Sequence, residues 1–296
     1  MAIGRVTQRM LAESSLGSVQ SGLGRLAKVQ EQLTTGRVLN RPSDSPTGTT
    51  TAMRLRSARA DQDQYARNAQ DGLGWLEQID STLDSVTSSI RRAREVGLQG
   101  NNTGSVGQVA REALATEVDN LRADLVSQAN ATYLDRPVFG GITSGHLAYD
   151  PAGNYVGVAG DVNRRIGDGV LVKVDVDGTS VFGDGPTSVF AELDALSTAL
   201  RSGNSAAIGA SLDALAGRLD TVVSARTAVG ATQGRVERAA QAAVDAKTSL
   251  ESNLSTVENA DLAATTVDLQ LAEVSYQASL AATARVLQPS LVDFLR

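Results

Sequence analysis

The chain has 296 residues, 33 acidic and 27 basic side chains, a formal charge of −6, no cysteine and a single histidine, His146. Disulfides, thiolate chemistry and metal centres built on cysteine or several histidines are thereby excluded, and an acidic chain is a poor partner for duplex nucleic acid. Aromatic residues make up only 3%, so the expected core is one of helices packed through Ala, Leu and Val rather than a thick globule.

In chain order, the first ten residues lack the apolar stretch of a cleaved signal peptide. A helix with an apolar seam follows, with Val19, Leu26 and Leu33 seven residues apart and Leu16 and Leu23 beside them. Gly36 closes this helix and is expected to take a positive φ. The segment Asn40-Arg-Pro-Ser-Asp-Ser-Pro-Thr-Gly48 holds two prolines and a glycine, so no helix runs through it. Gly36, Asn40, Pro42 and Asp44 are therefore the candidate joint between arm and body. The next helical stretch repeats Leu76, Ile79, Leu83, Val86, Ile90, Ala93 and Gly97 at heptad spacing, and Gly100-Asn-Asn-Thr-Gly104 turns the chain.

Residues 140–186 change character and are rich in Gly, Val, Asp and Pro. Val170, Val172, Val174 and Val176 alternate with Leu and charged residues, which predicts a half-buried strand, and Asp177-Gly178 predicts a tight hairpin turn. Helical periodicity then resumes through Val222, Val229, Val236, Ala243, Leu250 and Val257. A last seam starts in a new phase with Val267, Leu271, Val274, Ala278 and Ala281, and Leu287 extends the segment. The small residues in these seams bury little area each, so the terminal helices need long contacts or several neighbours. The resulting division is terminal arms at 1–42 and 256–296, a helical rod at 43–139 and 187–255, and a small β-rich domain at 140–186.

Charge separates the two ends. Residues 1–60 hold nine basic and three acidic side chains, whereas 245–296 hold three basic and seven acidic ones. Opposite charge favours the ends lying against each other.

No chemistry is legible. Lys173-Val-Asp-Val-Asp-Gly178 puts a lysine where a calcium loop needs its first ligand, and strand residues flank it. Gly22-Leu-Gly24 and Gly167-Asp-Gly169 lack the third glycine and the context of a dinucleotide site. There is no phosphate-binding loop and no nucleophile elbow. No run of 18 apolar residues occurs, so no membrane helix is expected. The expectation is a protein without catalytic residues, metal or cofactor, and without nucleic-acid or membrane partners. Periodicity alone fits a cytoplasmic coiled-coil adaptor as well as an assembly subunit.

Leu33-Thr-Thr-Gly-Arg-Val-Leu-Asn-Arg-Pro-Ser-Asp-Ser-Pro46 resembles the corresponding turn of the flagellin family. Val257-Glu-Asn-Ala-Asp-Leu262 and Gln288-Pro-Ser-Leu291 with Phe294 and Leu295 are similar to the entry and exit of that family's C-terminal helix. Asn130-Ala-Thr-Tyr-Leu-Asp-Arg-Pro-Val-Phe-Gly-Gly141 and Ala278–Pro289 are more similar to hook-associated members of the family. The opening Met1-Ala-Ile-Gly-Arg-Val partly resembles filament flagellin, which stands as the alternative.

The resemblance implies a mainly α fold, an elongated antiparallel bundle or coiled coil formed by the N- and C-terminal regions with a small β-rich insert. It implies a structural subunit exported without a cleaved signal to the outside of the cell, at the point where hook meets filament. The implied partners are a second hook-associated subunit on the hook side, flagellin on the filament side, copies of the chain itself in a ring, and an export chaperone on the C-terminal helix. The seam residues Leu16, Val19, Leu23, Leu26, Leu33, Val267, Leu271, Val274, Ala278, Ala281 and Leu287 are then the expected assembly residues.

Overall fold

A computed structural model describes residues 2–102 and 107–287, without the side chains of 2–9, 11, 12, 286 and 287. The chain is mainly α. Helix α1 spans Ala2–Thr35, α2 Pro46–Asn101 and α3 Gln108–Ala129. Two short antiparallel ladders follow, β1 (Thr132–Tyr133) with β2 (Arg136–Pro137) and β3 (Asn163–Gly167) with β4 (Val170–Lys173). Then come α4 (Gly178–Phe182), a 3₁₀ turn at Gly185–Thr187, α5 (Val189–Ser202), α6 (Ser205–Glu258) and α7 (Leu262–Leu287). By its contacts the chain divides into a terminal unit, Met1–Ala60 with Lys247–Arg296, and a central unit, Asp61–Ala246.

The central unit has a closed core. Leu76, Ile79, Leu83, Val86, Ile90 and Ala93 of α2 are fully buried, as their spacing requires. They share one cluster with Ile208, Leu215, Val222, Val229 and Val236 of α6 and with Leu193, Leu196 and Leu200 of α5. Two glycines let α2 come close to its neighbours. A Cβ at Gly97 would lie 2.8 Å from Leu212 Cδ2, and one at Gly100 would overlap Leu200. Charge ties the helices together at the edge of the core. Arg226 of α6 bonds both Asp80 and Asp84 of α2, and Arg201 of α5 bonds Glu112 and Asp119 of α3. Helix α5 is bounded as its sequence dictates. The Ser188 hydroxyl accepts from the Ala191 N–H, and Gly203 ends the helix at φ 68°.

Five of the ten aromatics share one cluster. Phe139, Tyr149, Tyr155, Phe182 and Phe190 pack with neighbouring ring centroids 5.0–6.1 Å apart. The Tyr149 hydroxyl donates to Gly183 O at 2.9 Å, and burial pushes its pKa far above the ordinary value. Arg218 of α6 donates to the carbonyls of Val181 and Thr187 and to Glu192, fixing this cluster to the helices.

The expected strand through Val176 is shorter than its alternation suggests. β4 ends at Lys173 and pairs with β3 through Arg164↔Val172 and Arg165↔Leu171. The chain reverses between Gly167 and Val170, with Gly169 at φ 65°. Asp177-Gly178 is therefore no hairpin turn. The Asp177 carboxylate accepts from the Thr179 N–H and starts α4, since an Asp that suits a turn suits a helix start equally well.

In the terminal unit α1 packs on α7. Gly36 follows the end of α1 at φ 67°, as expected. Pro46 opens α2, where its missing N–H costs nothing, and the Ser45 hydroxyl accepts from the Gly48 N–H. Residues 36–38 run antiparallel to 258–260. Val38 N donates to Glu258 O at 2.8 Å, Ala260 N donates to Gly36 O at 2.9 Å, and Arg37 and Asn259 form a β-bridge.

Candidate functional site

Among the described residues, no group of three His, Asp or Glu is placed to hold a metal ion, and no helix is long and apolar enough to cross a membrane. His146 is exposed in a loop. Apolar side chains are exposed in both units, and in the terminal unit they line one helix at heptad spacing.

Helix α7 is amphipathic in an unusual sense. Its covered side consists of Thr265, Leu269, Ala272, Tyr276, Ser279 and Thr283, of which only Thr265 is fully buried. Its open side carries Val267, Leu271 and Val274 at 64%, 64% and 63% exposure, together with exposed Ala278 and Ala281. The apolar seam read from the sequence thus faces away from the covered side. On α1 the expected residues divide. Val19, Leu26 and Leu33 are half-buried, while Leu16 and Leu23 are exposed. Periodicity found an apolar face on α7, but the face that closes the α1–α7 pair is the other one. Leu287 ends α7, and its side chain lies outside the described residues.

Two residues that periodicity passed over, Gly22 and Tyr276, face each other across the pair. Gly22 is buried, and a Cβ there would sit 3.5 Å from Tyr276 Cδ2 and 3.9 Å from its Cα. Beside this contact lies an open groove lined by Arg25, Lys28 and Val29 of α1 and Asp268, Leu271 and Ala272 of α7.

The joint is held by polar contacts. The Asp44 carboxylate accepts from the Arg41 N–H at 2.8 Å and the Asn40 N–H at 3.2 Å, and lies 3.4 Å from the Lys28 ammonium. The Arg41 N–H foremost, with Asn40 and Lys28, holds its pKa below the usual carboxylate value. Asn40 also donates to the Arg37 carbonyl at 3.1 Å. Pro42 lines a cleft with Leu39, Met53 and Arg56. Glu258 was missed by the sequence reading. Its side chain is only 6% exposed and pairs with Arg56 at 2.8 Å, and Arg59 pairs with Glu251 at 3.0 Å. In each of these two pairs a basic residue of the N-terminal region meets an acidic residue of the C-terminal region.

The family model for the bacterial flagellin N-terminal helical region matches residues 6–140, and that for the bacterial flagellin C-terminal helical region matches 212–295. Flagellar hook-associated protein 3 of Salmonella typhimurium is 27% identical over 180 residues, covering 60% of this chain and 56% of the relative. The chain therefore spans little more than half the length of that relative. A flagellin of Halalkalibacterium halodurans is 25% identical over 264 residues, 88% of each chain. The crystal structure of Bacillus cereus FlgL superposes with a TM-score of 0.61 at 25% identity, covering 68% of this chain and 99% of the other.

Proposed function

This chain belongs to the flagellin family, and from that premise we propose that it is a structural subunit of the bacterial flagellum that joins hook to filament. The observation that carries this reading is the open side of α7. Val267, Leu271, Val274, Ala278 and Ala281 form a heptad stripe facing water, and a stripe of that spacing fits another helix. Left exposed, it costs solubility; covered by neighbours, it drives assembly. The likeness to hook-associated protein 3 and to FlgL supports the junction over the filament and over a cytoplasmic adaptor.

In this reading the arms at 1–42 and 256–296 form the paired inner layer. The segments 43–139 and 187–255 form the rod, and 140–186 faces outward. Leu16, Val19, Leu23, Leu26 and Leu33 act with the α7 stripe and Leu287 as assembly residues, and Gly36, Asn40, Pro42 and Asp44 as the joint. The partners are a second hook-associated subunit on the hook side, flagellin on the filament side, copies of the chain in a ring, and an export chaperone on α7 beforehand. The subunit works outside the cell by assembly, with no catalytic step.

A filament flagellin is the second reading, favoured by the match across 88% of a flagellin. Immunogold electron microscopy on intact flagella, with antibody against residues 140–186, separates the two. The expected result is one band where hook meets filament. Label along the whole filament makes the chain a flagellin, and no label on any flagellum defeats both readings.

A further inference from the structure

The hairpin β1–β2 closes on a two-residue loop, Leu134 and Asp135, between the paired residues Tyr133 and Arg136. Both loop residues have positive φ, 48° and 62°, a turn backbone that favours Asn and Gly. A leucine is strained there. Leu134 is also 73% exposed, so packing among the described residues does not offset the strain. The base of the hairpin is firm. The Tyr133 ring packs edge-on against Trp75 at 5.7 Å, and the Arg136 guanidinium lies 5.6 Å from the centre of the Trp75 ring. An apolar side chain is thus held out in water on a rigid mount, and strain kept at such a point is a mark of function.

The central unit also holds an open groove with an apolar floor. Leu76 of α2, Val176, and Ala225, Ala228 and Val229 of α6 line it, and its α6 wall runs on to Arg235. A Cβ at Gly74 would meet the Tyr133 ring, whereas one at Gly72 would meet Val174, two residues before Val176. Two residues along an α-helix turn it by about 200°. Hairpin and groove therefore sit at one level of α2 on nearly opposite sides, and Leu134 is out of reach of the groove in its own chain. Charge agrees with a contact between copies. Asp135 beside Leu134 and Arg235 at the groove are both exposed, and neither has an ion-pair partner among the described residues. The other charges lining the groove are engaged, Lys173 by Asp161, Asp175 by the Val162 N–H and Asp177 by the Thr179 N–H.

We propose that the hairpin of one copy docks into the groove of the next, with Leu134 on the floor at Val176 and Ala228 and Asp135 against Arg235. A knob and a groove on different sides of one chain make a head-to-tail contact, which closes into a ring or runs on as a helical array. The inference rests on the assembly reading and names the contact between copies that this reading requires.

The chain has no cysteine, so disulfide trapping is clean. The full chain with Leu134→Cys and Ala228→Cys, oxidised in intact flagella, is expected to give a ladder of disulfide-linked multimers. Leu134→Cys with Val109→Cys, at an exposed position of α3 outside the groove, is expected to give at least tenfold less. Arg235→Asp, which faces Asp135 with like charge, is expected to lower the yield of the first ladder severalfold. Leu134→Asn suits the turn and removes only the apolar knob. Its urea midpoint is expected to hold or rise while its incorporation into flagella falls severalfold, the reverse of what a purely structural role for Leu134 would give. If the chain is present in flagella and the Ala228→Cys pair yields no more multimers than the Val109→Cys pair, the docking is wrong and the assembly reading stands. Full incorporation of Leu134→Asn overturns it equally, and an unaltered ladder in Arg235→Asp overturns the placement of Asp135. If the natural chain reaches no flagellum, the assembly reading fails and the docking with it.

Discussion

In the central unit the stripe from Leu76 to Ala93 on α2 is sealed from water, whereas in the terminal unit the stripe from Val267 to Ala281 on α7 is open to it. Both have heptad spacing and both are apolar. What separates them is the supply of partners within the chain. The α2 stripe meets α5, α6 and an aromatic cluster, enough neighbours to close a core. Among the described residues α7 packs on α1, and that helix covers mainly its other side. Heptad periodicity reports that a helix wants a partner; whether the partner is in the same chain depends on how many helices the unit contains.

The contrast can be broken most forcefully in the sealed stripe. Leu83→Ala leaves a cavity in the central core and should destabilise that unit by about 3 kcal/mol. Urea unfolding followed by the buried Trp75 reads it directly. Leu271→Ala on the open stripe should leave the same transition within about 0.5 kcal/mol, yet lower the yield of sedimentable assemblies severalfold. A central-unit loss as large for Leu271→Ala would erase the distinction.

Glycines sharpen it next. Gly100→Ala pushes a methyl into Leu200 and should cost about 2 kcal/mol through overpacking. Gly230 in α6 has open space around its missing Cβ, so Gly230→Ala should instead stabilise the central unit by about 1 kcal/mol. The same urea midpoints show whether the signs are opposite. At the joint of the terminal unit, Gly36 also has open space but sits at φ 67°. Gly36→Ala should cost about 1 kcal/mol from backbone strain alone. Faster amide exchange at Val38 and Ala260 is the expected sign, and unchanged exchange would count against it.

The smallest effect is with pH. Asp44 has a pKa below its ordinary value because backbone N–H groups and Lys28 favour the carboxylate. A depressed carboxyl contributes stability above its unfolded pKa, roughly 4, and loses it as pH falls through the lower folded value. The amide resonances of Asn40 and Arg41 should therefore shift on acidification below about pH 4, and stay flat in Asp44→Asn.

Much of this was legible in the sequence. The central stripes could be read because the residues that repeat are also the residues that pack. The breaks at Gly36 and at Pro42–Pro46 could be read because proline and a left-handed glycine act locally. The Glu258–Arg56 pair could not, since nothing local links two residues so far apart in the chain. Asp177-Gly178 was ambiguous because one side chain serves both a turn and a helix start. On α7 the apolar face was visible but its direction was not. Spacing identifies a face, and only the neighbouring helix tells which face it takes.

Pairing α1 with α7 joins two helices with the whole central unit between them in the chain, so these contacts have a very large sequence separation. Contacts of that kind close late, because the whole intervening chain must be brought back on itself first. A chain that appears from its N-terminus can complete the central unit while α1 still waits, unpaired, for a helix that has not yet emerged. The terminal unit is therefore able to form only after α7 has followed the central unit along the chain.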